Sequence, residues 1–304
     1  MQTSTIGNSL IKASVLGFGC MSLPEDYKEA ERILHAAVDG GITYFDTADL
    51  YQFGRNEENV GRGLTPYRNS VTIATKGGND WSSDQTTWSW NPSKSYLMEA
   101  CKQSLKRLNT DSIDVYQLHG GTIDDPFDET REALELLKRD GLIQAYGTSS
   151  IRPNVINKWA PVTGVVSNMM QYSILDRRPE ELSAFLQEHS VSIIARGPLA
   201  KGLLTERFTR KLTDEGYLSY SGSELRDTLH DLQAYASDWG MTLNSLALRY
   251  VLADPACDVV IPGASSVEQV QETILAAEAG PLSDQQLKDI RSLTKAEHYE
   301  NHRV

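Results

Sequence analysis

Short apolar runs alternate with amphipathic helical segments along the whole chain, and this alternation restricts the folds open to it more than any other feature. The runs fall at Ser14 to Phe18, Ile42 to Phe45, Val71 to Thr75, Ile113 to Leu118, Ile143 to Thr148, Val165 to Met169, Ser192 to Ala195 and Val259 to Ile261. After the first, Glu25 to Val38 carries Ala30, Ile33, Leu34, Ala37 and Val38 at the spacing of one helix face, and Gly40-Gly41 stops it. Helical patterns follow the other runs: one opening at Asn56-Glu57-Glu58 and closing near Gly61-Arg62-Gly63, then Ser93 to Leu108, Asp128 to Arg139, Arg152 to Trp159, Glu180 to His189, Glu224 to Leu252 and Val267 to Ala276. Repeated strand–helix units imply a parallel sheet with helices packed on it, and eight units favour a closed barrel over an open sheet. The expected fold class is therefore α/β, a (β/α)8 TIM barrel.

Two additions are expected. A turn pair between apolar flanks in Ile6-Gly7-Asn8-Ser9-Leu10-Ile11 predicts a short N-terminal hairpin. Ser283 to Thr294, with a cap signal and Leu287, Ile290 and Leu293 at helical spacing, predicts an added C-terminal helix. Barrels of this kind reach 304 residues as one unit, and no stretch reads as a linker, so a single domain over residues 1–304 is expected. No internal repeat is evident. The longest loops, 77–92 with Trp81, Trp88 and Trp90 and 199–223 with several Gly and Ser, both follow strands and so lie over the C-terminal face, where barrel enzymes work.

Composition narrows the function. A net charge of -12 without a Lys/Arg cluster argues against nucleic acid and anionic membranes as partners. Cys20, Cys101 and Cys257 are an odd, scattered set without Cys-x-x-Cys spacing, which fits a reducing compartment. Met1-Gln2-Thr3-Ser4-Thr5 has neither a basic nor an apolar leader segment, and no apolar run approaches ~18 residues; a cytoplasmic location is expected. His298-x-x-x-His302 has a metal spacing but no third ligand nearby, so no metal is expected.

The chemistry-bearing residues sit at strand ends. Asp46 closes the second run and Tyr51 lies in the loop after it; Lys76 follows the third run and His119 the fourth. A tyrosine with an ordinary pKa of ~10 is a poor proton donor at neutral pH unless a nearby cation favours the phenolate. Lys76 can supply that cation, and a buried ammonium needs a carboxylate, for which Asp46 is placed. His119 would orient or polarise a substrate oxygen. Such a quartet suits protonation of an oxygen that gains charge as its carbon receives a hydride, and the hydride has to come from a cofactor. No G-x-G-x-x-G follows a strand. Phosphate sites are instead expected at the last two strand ends, in Arg196-Gly197-Pro198-Leu199-Ala200-Lys201-Gly202 and Ile261-Pro262-Gly263-Ala264-Ser265-Ser266, the second of which opens into a helix.

Across nearly its whole length the sequence resembles the aldo-keto reductases. The resemblance is carried by Phe45 to Glu57 around Asp46 and Tyr51, by Thr75-Lys76, Gln117-Leu118-His119, Gly147 to Ser150, Gln171-Tyr172-Ser173, Gly197 to Leu204 and Ile261 to Ser265, in that order. It implies an oxidoreductase reducing an aldehyde or ketone with NADPH, with Tyr51 as proton donor, Asp46 and Lys76 as its tuning pair and His119 as orienter. It also implies cofactor contacts from Gly19, Cys20, Met21, Asp46, Ser149, Ser150, Gln171, Arg196, Gly197, Pro198, Leu199, Lys201, Gly202, Gly263, Ala264, Ser265 and Gln269. Ser150 stands where Asn is common, and Arg196 where an aromatic ring usually stacks on the nicotinamide. Gly263 to Thr273 contains no Lys or Arg, so the usual cation for the adenosine 2′-phosphate is missing there and NADH stays open beside NADPH; Lys201, Arg207 or Arg210 are alternative cations. Gly120-Gly121 replaces bulkier residues after His119, consistent with a roomier pocket. The expected partner is a small-molecule carbonyl, and the protein a monomer or weak homo-oligomer. Two other readings stand beside this one: a redox-sensing regulatory subunit that binds the cofactor with little turnover, and an aldolase using Lys76 as a Schiff-base lysine.

Overall fold

The computed structural model describes residues 1–82 and 84–303. Its first elements are β1 (Thr3–Thr5) and β2 (Lys12–Ser14), an antiparallel hairpin with Thr3 opposite Ser14. Then come β3 (Phe18–Gly19), α1 (Tyr27–Asp39), β4 (Tyr44–Asp46), α2 (Arg55–Leu64) and β5 (Thr72–Gly77). A second hairpin, β6 (Asn79–Trp81) and β7 (Trp88–Trp90), interrupts the pattern before α3 (Lys94–Leu108). The alternation resumes with β8 (Ile113–Leu118), α4 (Phe127–Arg139), β9 (Ile143–Ser149), α5 (Pro153–Trp159), β10 (Val165–Gln171), α6 (Glu180–Glu188) and β11 (Ser192–Arg196). It ends with α7 (Gly222–Asp238), α8 (Leu243–Leu252), β12 (Cys257–Ile261), α9 (Val267–Ala277) and α10 (Asp284–Leu293).

The eight strands β3, β4, β5, β8, β9, β10, β11 and β12 form one parallel sheet in chain order. Parallel bridges Leu16 to Val260 and Gly19 to Gly263 bring its edges together, so the sheet is the nearly closed (β/α)8 barrel read from the sequence. A sheet buried on both faces explains why the strands read as continuous apolar runs.

Period-2 alternation then decides what faces the barrel axis. Tyr44, Ala74, Val115, Ala145, Met169, Ile194 and Val259 form an inner core with Ile6 and Ala13 of the N-terminal hairpin. Phe45, Ile73, Tyr116, Tyr146, Met170 and Ile193 face outward into the layer shared with the helices. Ile6 is wholly buried at the barrel's floor, where Gly7 N donates to Ser192 Oγ (2.5 Å).

The sequence reading placed three elements differently. The first barrel strand is only Phe18–Gly19, because Lys12–Ser14 pairs with the hairpin. The single helix expected over Glu224 to Leu252 is two, α7 and α8. The break falls at Trp239-Gly240-Met241, where Gly240 takes φ +69°, and Thr242 accepts from Ser245 N to cap the new helix. The 77–92 loop contains the β6–β7 hairpin, whose Trp90 packs over the backbone of Gly78 and Gly120. α10 begins at the expected cap, where Ser283 and Gln286 form a capping box, and it packs near α7.

Candidate active site

Six of the polar residues expected at the site lie two or four positions beyond an inward-facing core residue. Asp46 follows Tyr44, Lys76 follows Ala74, Gln171 follows Met169 and Arg196 follows Ile194 by two; His119 follows Val115 and Ser149 follows Ala145 by four. The alternation that builds the core therefore carries these side chains inward at the C-terminal mouth, where the packed layers stop.

Lys76 is completely buried and Asp46 nearly so. Lys76 Nζ lies 2.6 Å from Asp46 Oδ1, 2.6 Å from the Thr47 carbonyl and 3.2 Å from Tyr51 Oη. Three donations use all three N–H bonds of an ammonium, and a carbonyl and a carboxylate can only accept. Burial pushes the Lys76 pKa down, but Asp46 and Tyr51 more than reverse this and hold it above the usual lysine value. Burial raises the Asp46 carboxyl against the opposing pull of Lys76 and Arg196. The two directions argue opposite ways about the pair, and the hydrogen-bond count decides for the ionised form. Asp46 Oδ2 is buried without a hydrogen-bond partner among the described residues.

Tyr51 stands over the mouth on an unusual turn. Gln52, Phe53 and Gly54 follow it with φ of 51°, 50° and 89°, three successive left-handed residues. Non-glycine residues in that region cost of order 1 kcal/mol or more each. Gln52 Nε2 donates to the Leu23 carbonyl (2.9 Å) and the Phe53 ring lies 5.6 Å from that of Trp81, which hold the turn. Behind it, Thr47 Oγ1 donates to Asn56 Oδ1 and Asn56 Nδ2 to the Cys20 carbonyl, tying the ends of β3 and β4 to α2.

The ring of His119 meets Tyr51 edge-on, with centroids 5.9 Å apart. Burial, with Lys76 and Arg196 nearby, pushes its pKa down to about 3, so the imidazole is neutral. Its Nδ1 is buried with no hydrogen-bond partner among the described residues. Asp46, Tyr51, Lys76 and His119 thus share one site, and a neutral imidazole can accept or donate a hydrogen bond there without competing with Lys76 for positive charge.

The residues expected to hold a cofactor ring the same mouth. Gly19 pairs with Asp46 across β3 and β4 and bridges to Gly263. Cys20 is buried beneath it and Met21 is exposed. Ser149 ends β9, while Ser150 is buried and its hydroxyl accepts from Arg152 N (3.2 Å). Gln171 and Arg196 are joined side by side, Arg196 Nη1 donating to Gln171 Oε1 (3.1 Å). Gly197, Lys201 and Gly202 take left-handed φ of 65°, 58° and 91°, which curls Pro198 and Leu199 back against the barrel and leaves Lys201 exposed. At β12, Gly263 and Ala264 lead to Ser265, whose amide (2.8 Å) and hydroxyl (3.3 Å) donate to Gln269 Oε1. Arg207, one of the alternative cations, is paired with Glu272 at 2.5 Å.

These groups fit a nicotinamide dinucleotide. An amide and a guanidinium stand beside Asp46, Tyr51, Lys76 and His119, and the Ser265 donors at the start of α9 are satisfied by a side chain that a phosphate can replace. The sequence reading missed the partners that hold Gln171. Its Nε2 donates to Asp176 Oδ2 (2.9 Å) and to Tyr217 Oη (3.2 Å). The run Asp176-Arg177-Arg178 was the available signal, since adjacent opposite charges at the start of a helix often satisfy one another.

Other candidates fall away. A cleft of about 430 Å³ lined by Arg177, Glu180, Ser183, Asp254, Pro255 and Arg291 lies beside α6 and includes none of the residues expected at the site, and its Arg177 and Asp254 are already paired within the fold. His298 pairs with Glu181, and among the described residues no group of three metal-ligating side chains converges. No helix among them is long and apolar enough to cross a membrane.

A family model described as the aldo/keto reductase family matches residues 15–295. An oxidoreductase of Bacillus subtilis, YqkF, is 48% identical over 307 residues, covering all of both chains. The structure of the aldo-keto reductase AKR11C1 from Bacillus halodurans in its holo form superposes with a TM-score of 0.96 at 49% identity, again covering all of both chains. A probable voltage-gated potassium channel subunit beta of Arabidopsis thaliana is 29% identical over 93% of each chain.

Proposed function

The chain belongs to the aldo/keto reductase family, a nicotinamide-dependent oxidoreductase family, and from that premise we propose that it reduces an aldehyde or ketone with NADPH, Tyr51 giving the proton. One observation carries this reading: a fully buried ammonium, Lys76 Nζ, donates to Tyr51 Oη at 3.2 Å while a neutral imidazole stands against the same phenol.

When bound, the cofactor supplies the hydride that the carbonyl carbon receives. The protein's part is the oxygen. His119 directs a hydrogen bond to the carbonyl oxygen and sets its distance from Tyr51. As negative charge gathers on that oxygen, the Tyr51 proton moves to it and the phenolate left behind is stabilised by Lys76, which Asp46 keeps charged. Ser149, Ser150, Gln171 and Arg196 would hold the nicotinamide end. Gly19, Cys20 and Met21, the segment Gly197 to Gly202 with Lys201, and Gly263, Ala264 and Ser265 would hold the rest, with Gln269 near the 2′-phosphate. On this reading residues 1–304 are one catalytic domain, a monomer or weak homo-oligomer acting on small-molecule carbonyls in the cytoplasm.

The test is NADPH oxidation across a panel of aldehydes and ketones. Replacing Tyr51 by Phe should lower kcat on the order of 10²- to 10⁴-fold while NADPH still binds; unchanged turnover in Tyr51→Phe would sink the assignment. The likeness to the potassium-channel beta subunit supports a second reading as a cofactor-binding regulatory protein. Tight NADPH binding with no turnover on any carbonyl of the panel would favour it.

A further inference from the structure

The last residues of the chain do not trail away from the barrel. They cross three successive loops on its C-terminal face. Arg177 Nη1 donates to the carbonyls of Arg291 (3.2 Å) and Thr294 (3.1 Å), where α10 ends. Lys295 N then donates to Tyr220 Oη (2.7 Å), Tyr299 N to Glu181 Oε1 (2.9 Å), and the His302 carbonyl accepts from Asn154 N (2.8 Å). These anchors belong to the loop before α7 and to the first turns of α6 and α5, the ends that face the mouth.

Among the described residues of the tail, Tyr299 is the one large side chain that is buried, at 5% exposure. Its ring lies 4.9 Å from the Arg178 guanidinium, and its hydroxyl has no hydrogen-bond partner among the described residues. What docks is therefore the ring, covering a guanidinium. Beneath it, Arg178 grips Asp176 with two hydrogen bonds of 2.7 Å, and Asp176 is completely buried. Asp176 accepts from Gln171 Nε2, and Gln171 Oε1 accepts from Arg196 Nη1.

The polarity of this chain is forced. A carboxylate only accepts and a guanidinium only donates, so Gln171 cannot flip its amide without setting N–H against N–H at Arg196 and oxygen against oxygen at Asp176. Asp176 is completely buried, so moving Arg178 away would leave its carboxylate without the guanidinium that compensates it. Arg178 stays in that geometry while an aromatic face shields it from water.

We propose that the C-terminal tail is a strap that positions the nicotinamide end of the site: Tyr299, acting through Arg178 and Asp176, fixes the orientation of Gln171 and Arg196. Tyr299, Arg178 and Asp176 are positioning residues, remote from the reacting atoms. The inference rests on the reading above that Gln171 and Arg196 face the cofactor.

The test measures NADPH binding by quenching of tryptophan fluorescence in the full-length protein, beside thermal melting and steady-state kinetics. Tyr299→Phe keeps the ring and should bind NADPH as the parent does. Tyr299→Ala should weaken NADPH binding about fivefold and raise the KM for NADPH in step, with kcat at saturating NADPH unchanged. Asp176→Asn, which keeps the shape and removes the charge, should weaken binding at least as much, and it replaces Tyr299→Ala as the deciding variant if the latter does not fold. Folded Tyr299→Ala and Asp176→Asn proteins with the parent's NADPH affinity would overturn the strap, as would a Tyr299→Phe protein as weak as Tyr299→Ala. A parent protein that binds no NADPH would instead overturn the functional reading beneath it.

Discussion

Lys76 Nζ and Asp46 Oδ1 stand 2.6 Å apart on neighbouring strands, β5 and β4, with solvent excluded from both side chains. A pair in that setting is stable only as a pair, because removing one partner leaves an uncompensated charge or an unsatisfied donor in the barrel mouth.

Asp46→Asn is accordingly expected to lower stability by ~3–5 kcal/mol in denaturant unfolding. The double variant Asp46→Asn/Lys76→Met should lose less than the sum of the two single changes, with a coupling of ~1–3 kcal/mol. Additive losses would show that the two side chains are energetically independent. Turnover should be lost in all three proteins, so the cycle separates the stabilising role of the contact from its chemical one.

The pH dependence of stability follows from two groups with opposite signs. Lys76 is raised, so its contribution is fully present below the unfolded lysine value of ~10.4 and is lost only as pH climbs past the folded one. His119 is lowered to about 3, so between ~6.5 and that value the unfolded chain takes up a proton that the native state refuses. Stability should therefore fall as pH drops from ~6.5 towards 3, and His119→Gln should fall less steeply in urea unfolding at stepped pH. The neutral imidazole also predicts no inflection near 6.5 from His119 in the pH profile of kcat/KM.

Gly147 on β9 has no room for a side chain: a Cβ there would meet the Ser167 carbonyl oxygen at 2.4 Å and Ser167 Oγ at 2.6 Å. The nearer atom is backbone and cannot swing aside. Gly147→Ala should destabilise the barrel by ~1–3 kcal/mol. Because Ser149 ends the same strand, NADPH affinity should fall as well; a variant with unchanged melting temperature and affinity would show that β10 yields freely.

The start of α9 offers a cofactor-selectivity test. Gln269 Oε1 accepts from Ser265 N and Oγ, and no cation lies between Gly263 and Thr273. Gln269→Arg should raise the preference for NADPH over NADH about five- to tenfold, equivalent to ~1–1.4 kcal/mol. An unchanged ratio of the two dissociation constants would place the 2′-phosphate elsewhere, nearer Lys201 or Arg210.

Much of this molecule was legible along the chain. Alternating runs and helical patterns led to the barrel, and strand ends led to Asp46, Lys76 and His119, which the fold brings together with Tyr51. The misreadings were local: Ser14 to Phe18 reads as one strand yet divides between a hairpin that ends at Ser14 and a barrel strand that begins at Phe18, and Glu224 to Leu252 keeps helical spacing across the break at Gly240. Periodicity is continuous across such junctions because the flanking residues face the same core.

Spacing along the sequence determined which residues face the barrel axis, since a side chain two or four places past Tyr44, Ala74 or Val115 must point the same way. It could not say who meets whom once there. Tyr299 reaches Arg178 across 121 positions, and Tyr217 reaches Gln171 from a long loop, through contacts that no local period records. Closure of the sheet at Gly19 and Gly263 and the return of the tail over the mouth decided those meetings, because each depends on where distant backbone arrives in space.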